Sequence, residues 1–452
     1  METLDAARLQ MAVSMIFHIV FACIGMVMPF FMVVSHYKWL KTRDKVYLSL
    51  TKAWQKGVAI FFVTGAVSGT ILSFELGLLW PKFMLHAGPI IGMPFSLEGA
   101  AFFVEAIALG FYLYGWKKIK SEWFHWFTGL IIGLAGVASG ILVVSANGWM
   151  NAPTGFDYVN GEFLNIDPVQ ALLNDAWFSQ ALHMVLAAFT ATGFAVAGIH
   201  AWQIYKKRNI AVHRKAFNIA ITFGAVAAIL QPISGDISAK DIAVRQPVKL
   251  AALEAHYHTE KGAPLYIGGI VNEETQEVTH KIEIPKMLSF LAFGDFNAEV
   301  KGLNDFPQEN LPPVAITHYA FQLMVGLGTF LALLAIIFFI SRKKRSLLQK
   351  TWFWLLFALA APLGFIAVEA GWIVTEVGRQ PWVIYNIMRT EDSVTPMNGI
   401  EYSLFLFIFL YVVLAIAVSW LMGRQITVFN RHPSTPPMGR KTDDPKTKSL
   451  KK

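Results

Sequence analysis

The chain has one cysteine, Cys23, in 452 residues, and only 15% of its residues are charged. A lone thiol excludes an intrachain disulfide and a cysteine-built metal cluster, so any cofactor must take other ligands. A soluble chain carries about 25% charged residues. The shortfall, with 55% hydrophobic residues and a mean hydropathy of +0.48, points to a polytopic membrane protein. The formal net charge of +8 would suggest a nucleic-acid partner in a soluble chain. Here the placement of the basic residues matters more than their sum, and no nucleic-acid role is expected. No internal repeat is visible, which argues against paired transporter halves.

What is present is a set of long apolar runs. A helix that crosses a bilayer needs about 20 largely apolar residues, since no backbone polar group can stay unpaired in hydrocarbon. Nine runs qualify, at about 11–34, 57–79, 94–116, 125–147, 177–204, 216–235, 314–340, 352–375 and 402–423. The first lacks a basic flank and a small-residue cleavage site and is too long for a signal peptide, so it is expected to remain in the mature protein. The expected fold is an all-α polytopic membrane protein of nine transmembrane helices with one long external loop.

Lys+Arg counts alternate along the connections: 6, 1, 3, none and 5 in the first five, 5 and 2 in the seventh and eighth, and 8 in the tail. The odd connections and the tail hold 27 of the 38 basic residues, which places them in the cytoplasm and the N-terminus outside. The sixth connection, 236–313, holds seven basic and twelve acidic residues and is external by parity. The chain therefore divides into helices one to six (1–235), an external loop (236–313), helices seven to nine (314–423) and a basic cytoplasmic tail (424–452) expected to be disordered. A connection of that length is usually functional.

Ionisable side chains inside a span are expensive and mark functional sites by default. His18 lies in the first span, Glu98 and Glu105 in the third, His183 in the fifth, and Glu369 and Glu376 in the eighth. Glu98 and Glu105 are two helical turns apart, so their carboxyls share a face in the manner of a relay. Arg379 and Trp382 follow Glu376 in Gly378-Arg379-Gln380-Pro381-Trp382, where an arginine suits Glu376 or another anion such as a propionate. Histidine is a usual axial ligand for haem iron, and a methionine opposite it makes a six-coordinate electron-transfer haem. At about 1.5 Å rise per residue, His183 and Met324 fall at similar depth. His36, His125 and His200 lie near cytoplasmic helix ends and are expected to snorkel or to lie at the surface; His86 and His318 have no assigned role.

In the long connection, Val248–Ala255 reads as a short helical run in which Lys249 and Glu254 are five apart. A solvent-exposed salt-bridged turn is one possibility. A cation and a carboxylate that bind a quinol headgroup and accept its protons are the other.

Taken together, these residues resemble the large, haem-bearing subunit of cytochrome bd-type quinol oxidases over about residues 5–425. The markers are Arg8-Leu9-Gln10 ahead of His18, Glu98-Gly99 through Glu105, Ser145-Ala146-Asn147-Gly148-Trp149-Met150, the Lys249–Glu254 run, Met324-Val325-Gly326-Leu327-Gly328, and Gly371-Trp372 through Trp382. The resemblance implies His183 and Met324 as ligands of a low-spin haem b. It implies His18 and Glu376 as axial ligands of a high-spin haem b and haem d (or a third haem b), in either order. Glu98 and Glu105 would deliver protons, Lys249 and Glu254 would bind quinol, and Arg379 and Trp382 would lie near the haems. It further implies a bacterial cytoplasmic membrane, a homologous second membrane subunit with small single-span subunits as further partners, and quinol and O2 as substrates. The 236–313 loop resembles the short-loop branch, and Gln322 stands where some relatives are expected to have arginine.

Two other classes fit parts of the pattern. A proton-coupled secondary transporter would use Glu98, Glu105 and Glu369, and predicts inverted repeats and paired broken helices. A membrane cytochrome b electron carrier would keep the His183 and Met324 pair without needing His18 and Glu376.

Overall fold

The computed structural model describes residues 2–431. Among the described residues nine helical segments are long and apolar enough to cross a membrane, one for each predicted run. The helices are α1 (Thr3–Thr42), α2 (Lys45–Leu79), α3 (Pro81–Gly115), α4 (Glu122–Asn151), α5 (Pro168–Leu172), α6 (Trp177–Tyr205), α7 (Ile210–Arg245), α8 (Pro247–Leu253), α9 (Met287–Phe293), α10 (Val314–Lys343), α11 (Thr351–Leu359), α12 (Leu363–Val377), α13 (Thr390–Ser393) and α14 (Ile400–Arg431). Of these, α5, α8, α9 and α13 are short extramembrane pieces, and α11 with α12 makes one span.

Local chemistry sets several starts. Asp44 and Ser121 accept hydrogen bonds from the first-turn amides of α2 and α4. Proline opens α3 and α8, where its missing N–H is not needed. Most spans outrun their apolar windows, α7 by about ten residues to Arg245, because a hydropathy window sees only the hydrocarbon layer. The helix itself continues as long as its backbone bonds are made. Residues 424–431 likewise depart from the disordered tail expected from 424: α14 runs to Arg431, and the rest of that tail lies outside the described residues.

The eighth span is expected as one helix over 352–375, and the structure breaks it between Leu359 and Leu363. Pro362 removes a backbone donor there and crowds the preceding turn. The small residues around the break bring it onto α6. A Cβ on Gly198 would stand 2.6 Å from Ala361 Cβ, and one on Gly364 would stand 2.5 Å from Ala191 Cα.

The helices pack as two closed rings of four. One runs α1, α2, α3, α4 and back to α1; the other runs α6, α7, α10, α12 and back to α6. Both α1 and α4 lean on α6 and join the rings, while α14 lies outside against α1 and α2. The α6–α7 crossing needs glycine on both sides: a Cβ on Gly193 would come within 2.5 Å of Gly224 Cα. Phe31, Phe194, Phe217, Phe338, Phe353 and Phe357 are fully buried in the core that spans the junction. The outward faces of α3 and α14 expose Phe103, Tyr114, Phe405 and Phe409, as a bilayer or a membrane partner requires.

The connections at one end of the bundle are structured. Residues 152–176 form the hairpin β1 (Asp157–Val159) and β2 (Glu162–Leu164) and the helix α5. The 236–313 segment carries α8, α9 and three nested antiparallel pairs: β5 (Ile270–Asn272) with β6 (Glu277–Thr279), inside β4 (Leu265–Ile267) with β7 (Ile282–Ile284), inside β3 (Glu260–Lys261) with β8 (Glu299–Val300). Gln322 of α10 pins this stack, donating to Tyr266 O at 3.0 Å and accepting from Gly268 N at 3.2 Å. After α12, β9 (Trp382–Ile384) pairs with β10 (Met388–Arg389) beside it.

Candidate functional site

Two intramembrane histidines are held by the same device. His18 Nδ1 lies 2.9 Å from Ser68 Oγ, and that hydroxyl donates to Thr64 O at 3.0 Å. His183 Nδ1 lies 3.0 Å from Ser234 Oγ, which donates to Gln231 O at 2.9 Å. With each serine proton committed to backbone, the hydroxyl can only accept from the ring, so Nδ1 carries the hydrogen and Nε2 keeps its lone pair. Each serine is followed by glycine against the ring. A Cβ on Gly69 would stand 3.0 Å from His18 Cε1, and one on Gly235 3.6 Å from His183 Cε1.

Met324 sits on α10, diagonally across the second ring from the α6 helix that bears His183. Its Sδ would lie 3.0 Å from a Cβ on Gly371 of α12, and one turn along, Gly328 would meet nothing within 4 Å. Gln231 donates from its amide to His183 Nε2 at 3.1 Å.

In the first ring both α3 carboxyls face α4. Glu98 accepts from Ser139 Oγ at 2.9 Å, and Glu105 is buried with Oε2 3.4 Å from the place of a Cβ on Gly136. Ser139 and Gly136 are neighbours on one helical face, so the shared face expected from the seven-residue spacing is present.

Glu376, at the end of α12, accepts from Asn147 Nδ2 and, at 2.6 Å, from Arg379 Nη2. Arg379 is only 3% exposed, yet its Nε and Nη1 have no partner. Trp382 packs under Arg389, whose guanidinium reaches Asn310 in the long loop, and Arg8 donates to Gln380 at 3.1 Å. The eighth-span carboxyl Glu369 is a contrast: both of its oxygens are buried without a partner.

Lys249 and Glu254 do not form an exposed salt-bridged turn. Both are buried, on different faces of the segment around α8. Five helical positions turn the second side chain about 140° from the first. Lys249 Nζ donates to Thr375 O at 3.1 Å and to Asn151 Oδ1 at 3.4 Å, whereas Glu254 Oε2 has no partner. Burial, with the Arg379 charge second and Glu376 opposing, lowers the Lys249 amine to about 7; burial alone raises Glu254 to about 8. A cavity of about 260 Å³ opens between α8, residues 306–312 and the β9–β10 hairpin, lined by Lys249, Arg379, Trp382, Arg245, Tyr385 and Phe306. Glu254 is not in its wall.

Three further histidines depart from expectation. His36, His125 and His200 are buried rather than snorkelling. His36 Nδ1 pairs with Tyr112 OH at 2.9 Å, His125 Nε2 donates to Tyr112 O at 2.8 Å, and His200 pairs with His213 at 2.8 Å. The helices continue past the hydrocarbon layer at that end too, and their aromatic ends close over these rings. His318 is also buried, donating to Leu253 O at 2.8 Å.

The serines that hold His18, Glu98 and His183, namely Ser68, Ser139 and Ser234, are not singled out by the sequence reading. A signal existed: the chain's three Ser-Gly dipeptides, 68–69, 139–140 and 234–235, all lie in spans beside a singled-out residue. Asn151 and Gln246, which join Lys249 to α4, carried no comparable signal.

The donor set suits haem. Among the described residues no three His, Cys, Asp or Glu side chains gather as a metal site, so iron without a macrocycle would be under-coordinated. The candidate ligands come singly, with Nε2 lone pairs free of protons, open space at Gly328 one turn from Met324, and unpaired Arg379 donors where an acidic substituent would be held.

Fold and site together define a polytopic membrane protein with a lone, serine-held histidine in each of two helix rings. The chain belongs to the cytochrome bd terminal oxidase subunit I family, whose model matches residues 6–429. It is 36% identical over 441 residues to the putative cytochrome bd menaquinol oxidase subunit I of Bacillus subtilis (strain 168), covering 96% of this chain and 98% of that one. It is 25% identical to the cytochrome bd-II ubiquinol oxidase subunit 1 of Escherichia coli (strain K12), covering 94% and 96%. The bd oxidase structure from Geobacillus thermodenitrificans superposes with a TM-score of 0.90 at 35% identity, covering 94% of this chain and 99% of that one. Membership makes this chain a multi-pass subunit of a haem-containing terminal oxidase, with a subunit II as its partner.

Proposed function

We propose that this chain is the catalytic subunit of an electrogenic quinol:oxygen oxidoreductase. The observation that supports it most is the pair of histidines in separate helix rings, each with Nδ1 held by a serine and Nε2 unprotonated, one of them diagonal to a methionine.

In this reading His183 and Met324 would hold a low-spin haem b, and His18 and Glu376 would hold a high-spin haem b and haem d (or a third haem b). Bound haem would supply one-electron transfer and the reduction of O2 to water. The protein supplies the rest. Ser68 and Ser234 orient the imidazoles, and Asn147 and Arg379 hold the Glu376 carboxyl in place by hydrogen bonds. The free Arg379 donors suit a propionate, with Trp382 in the wall beside it. Glu98, hydrogen-bonded to Ser139, and the buried Glu105 carry protons along the α4-facing side of α3.

Quinol is oxidised beside the 236–313 loop, with Glu254 as proton acceptor and Lys249 as hydrogen-bond donor, acting from two faces of the α8 segment. This loop and the N-terminus lie outside a bacterial cytoplasmic membrane, with the C-terminus inside. Quinol protons then leave outside, and the protons for water come from the cytoplasm. One charge crosses per electron without a pump, which is worth about 2.3 kcal/mol per 100 mV. A homologous second membrane subunit covers the apolar outer faces. The transporter reading is weaker: among the described residues one span, α11–α12, is broken, where that class needs a symmetry-related pair.

The test is a reduced-minus-oxidised absorption spectrum of the purified complex with pyridine haemochrome quantitation. A red chlorin band beside b-haem bands is expected. Three b haems per complex would mean the same oxidase without haem d, one b haem a plain electron carrier, and none would return the carboxyls to a transporter.

A further inference from the structure

The polar contacts around the end of α4 run in one direction. Lys249 Nζ donates to Asn151 Oδ1 at 3.4 Å, and Gln246 Nε2 donates to the same oxygen at 3.3 Å. Asn151 Nδ2 donates onward to Asn147 Oδ1 at 3.1 Å and to Asn147 O at 2.9 Å. Asn147 Nδ2 then donates to Glu376 Oε1. Turning either amide over would set nitrogen against a donor, so the order of the whole series is fixed by its two ends.

We propose that Asn151 is a positioning residue: through Asn147 it transmits the state of Lys249, in the cavity wall, to the Glu376 carboxylate and so tunes the potential of the haem that Glu376 holds. The inference rests on the reading of Glu376 as an axial ligand.

Three features support it. Asn147 and Asn151 are one turn apart on α4, so a rigid helix sets their spacing. Asn151 is 3% exposed, and aligned amide dipoles in such surroundings strengthen one another. Lys249 also donates to Thr375 O in the last turn of α12, so one amine ties the ends of α4 and α12 together at the cavity. Since Lys249 and Arg379 share that wall, an occupant that draws Lys249 away from Asn151 weakens the donation that reaches Glu376. A carboxylate with a weaker donor is a stronger ligand for ferric iron, so its haem becomes harder to reduce.

The experiment is a redox titration of the intact complex followed in the haem absorption bands. Asn151→Leu is expected to lower the midpoint of the Glu376 haem and to leave that of the haem on His183 and Met324 unchanged, with haem content retained. Lys249→Met is expected to shift it the same way, and the double variant no further than Asn151→Leu alone. If Asn151→Leu does not assemble, Asn151→Asp replaces it in the same cycle; it keeps the oxygen that meets Lys249 and lacks the donor to Asn147. An unshifted midpoint in the assembled Asn151 variant, or additive shifts in the double variant, overturns the relay. Glu376→Ala separates the two claims. If it keeps every haem band, the ligand assignment itself fails; if it loses one while Asn151 variants stay unshifted, only the relay fails.

Discussion

His18 and His183 sit in different helix rings and are held alike, yet their surroundings differ in kind. Each ring nitrogen donates to a serine whose own proton goes to the backbone, and each serine is followed by a glycine that makes room for the imidazole. The ring that holds His18 also carries the α3 carboxyls Glu98 and Glu105, and no thioether in it is assigned to iron. Around His183 the second ring supplies Met324 from the diagonal helix. In the proposed reading the same mounting serves two purposes. A thioether closes the sixth position and suits electron transfer, whereas carboxyls near an unclosed position suit proton-coupled chemistry.

The largest effect that would break this comparison is at Met324. Met324→Leu is expected to abolish the low-spin signal in the reduced spectrum and quinol-driven turnover with it, while the bands of the other haems persist. An unchanged low-spin band would remove the distinction between the rings. Next comes Glu105→Gln, for which oxygen consumption should fall about 100-fold with all haems retained, since a positioned acid or base contributes at least that much. Reduction of the low-spin haem by quinol, followed by stopped flow, should stay at the wild-type rate; equal slowing of both steps would show that the carboxyl is not specific to the first ring.

The serines sharpen the comparison further. Ser68→Ala and Ser234→Ala should each weaken retention of their own haem about 10-fold, the usual loss when a ligand's hydrogen-bond partner is removed. The haem-to-protein ratio after purification measures it, and loss of the same haem from both variants would contradict separate sites. The smallest effect lies outside the membrane. Glu254 titrates at about 8, so its proton-accepting anion becomes about fivefold more abundant between pH 7 and 8. Quinol oxidation should rise with pH over that interval and lose the rise in Glu254→Gln, with both histidine sites spectrally unchanged; a pH profile identical to wild type would exclude Glu254 as the acceptor.

Much of this is legible in the amino-acid sequence, for specific reasons. Nine runs of about 20 apolar residues read as spans because hydrocarbon forbids any other backbone arrangement. His18, Glu98, Glu105 and Glu376 were visible because charge in such a run is costly enough to need a purpose. The break at Pro362 was missed because prolines inside α1, α3 and α7 are carried without one; only the approach of Gly198 and Gly364 to their neighbours distinguishes the site. His36, His125 and His200 were misplaced because hydropathy marks where lipid ends and says nothing of where packing ends.

The amino-acid sequence by itself determined that the chain crosses a membrane nine times and which few polar groups it carries there, since both follow from the cost of polar atoms in hydrocarbon. Tertiary structure alone decided that Met324 lies diagonal to His183, that Lys249 bonds to the ends of α4 and α12 while Glu254 stays outside the cavity wall, and that Asn151 joins Lys249 to Glu376. These are contacts between elements far apart in the chain. No periodicity within one helix encodes which face of another it will meet; packing of the whole bundle sets that.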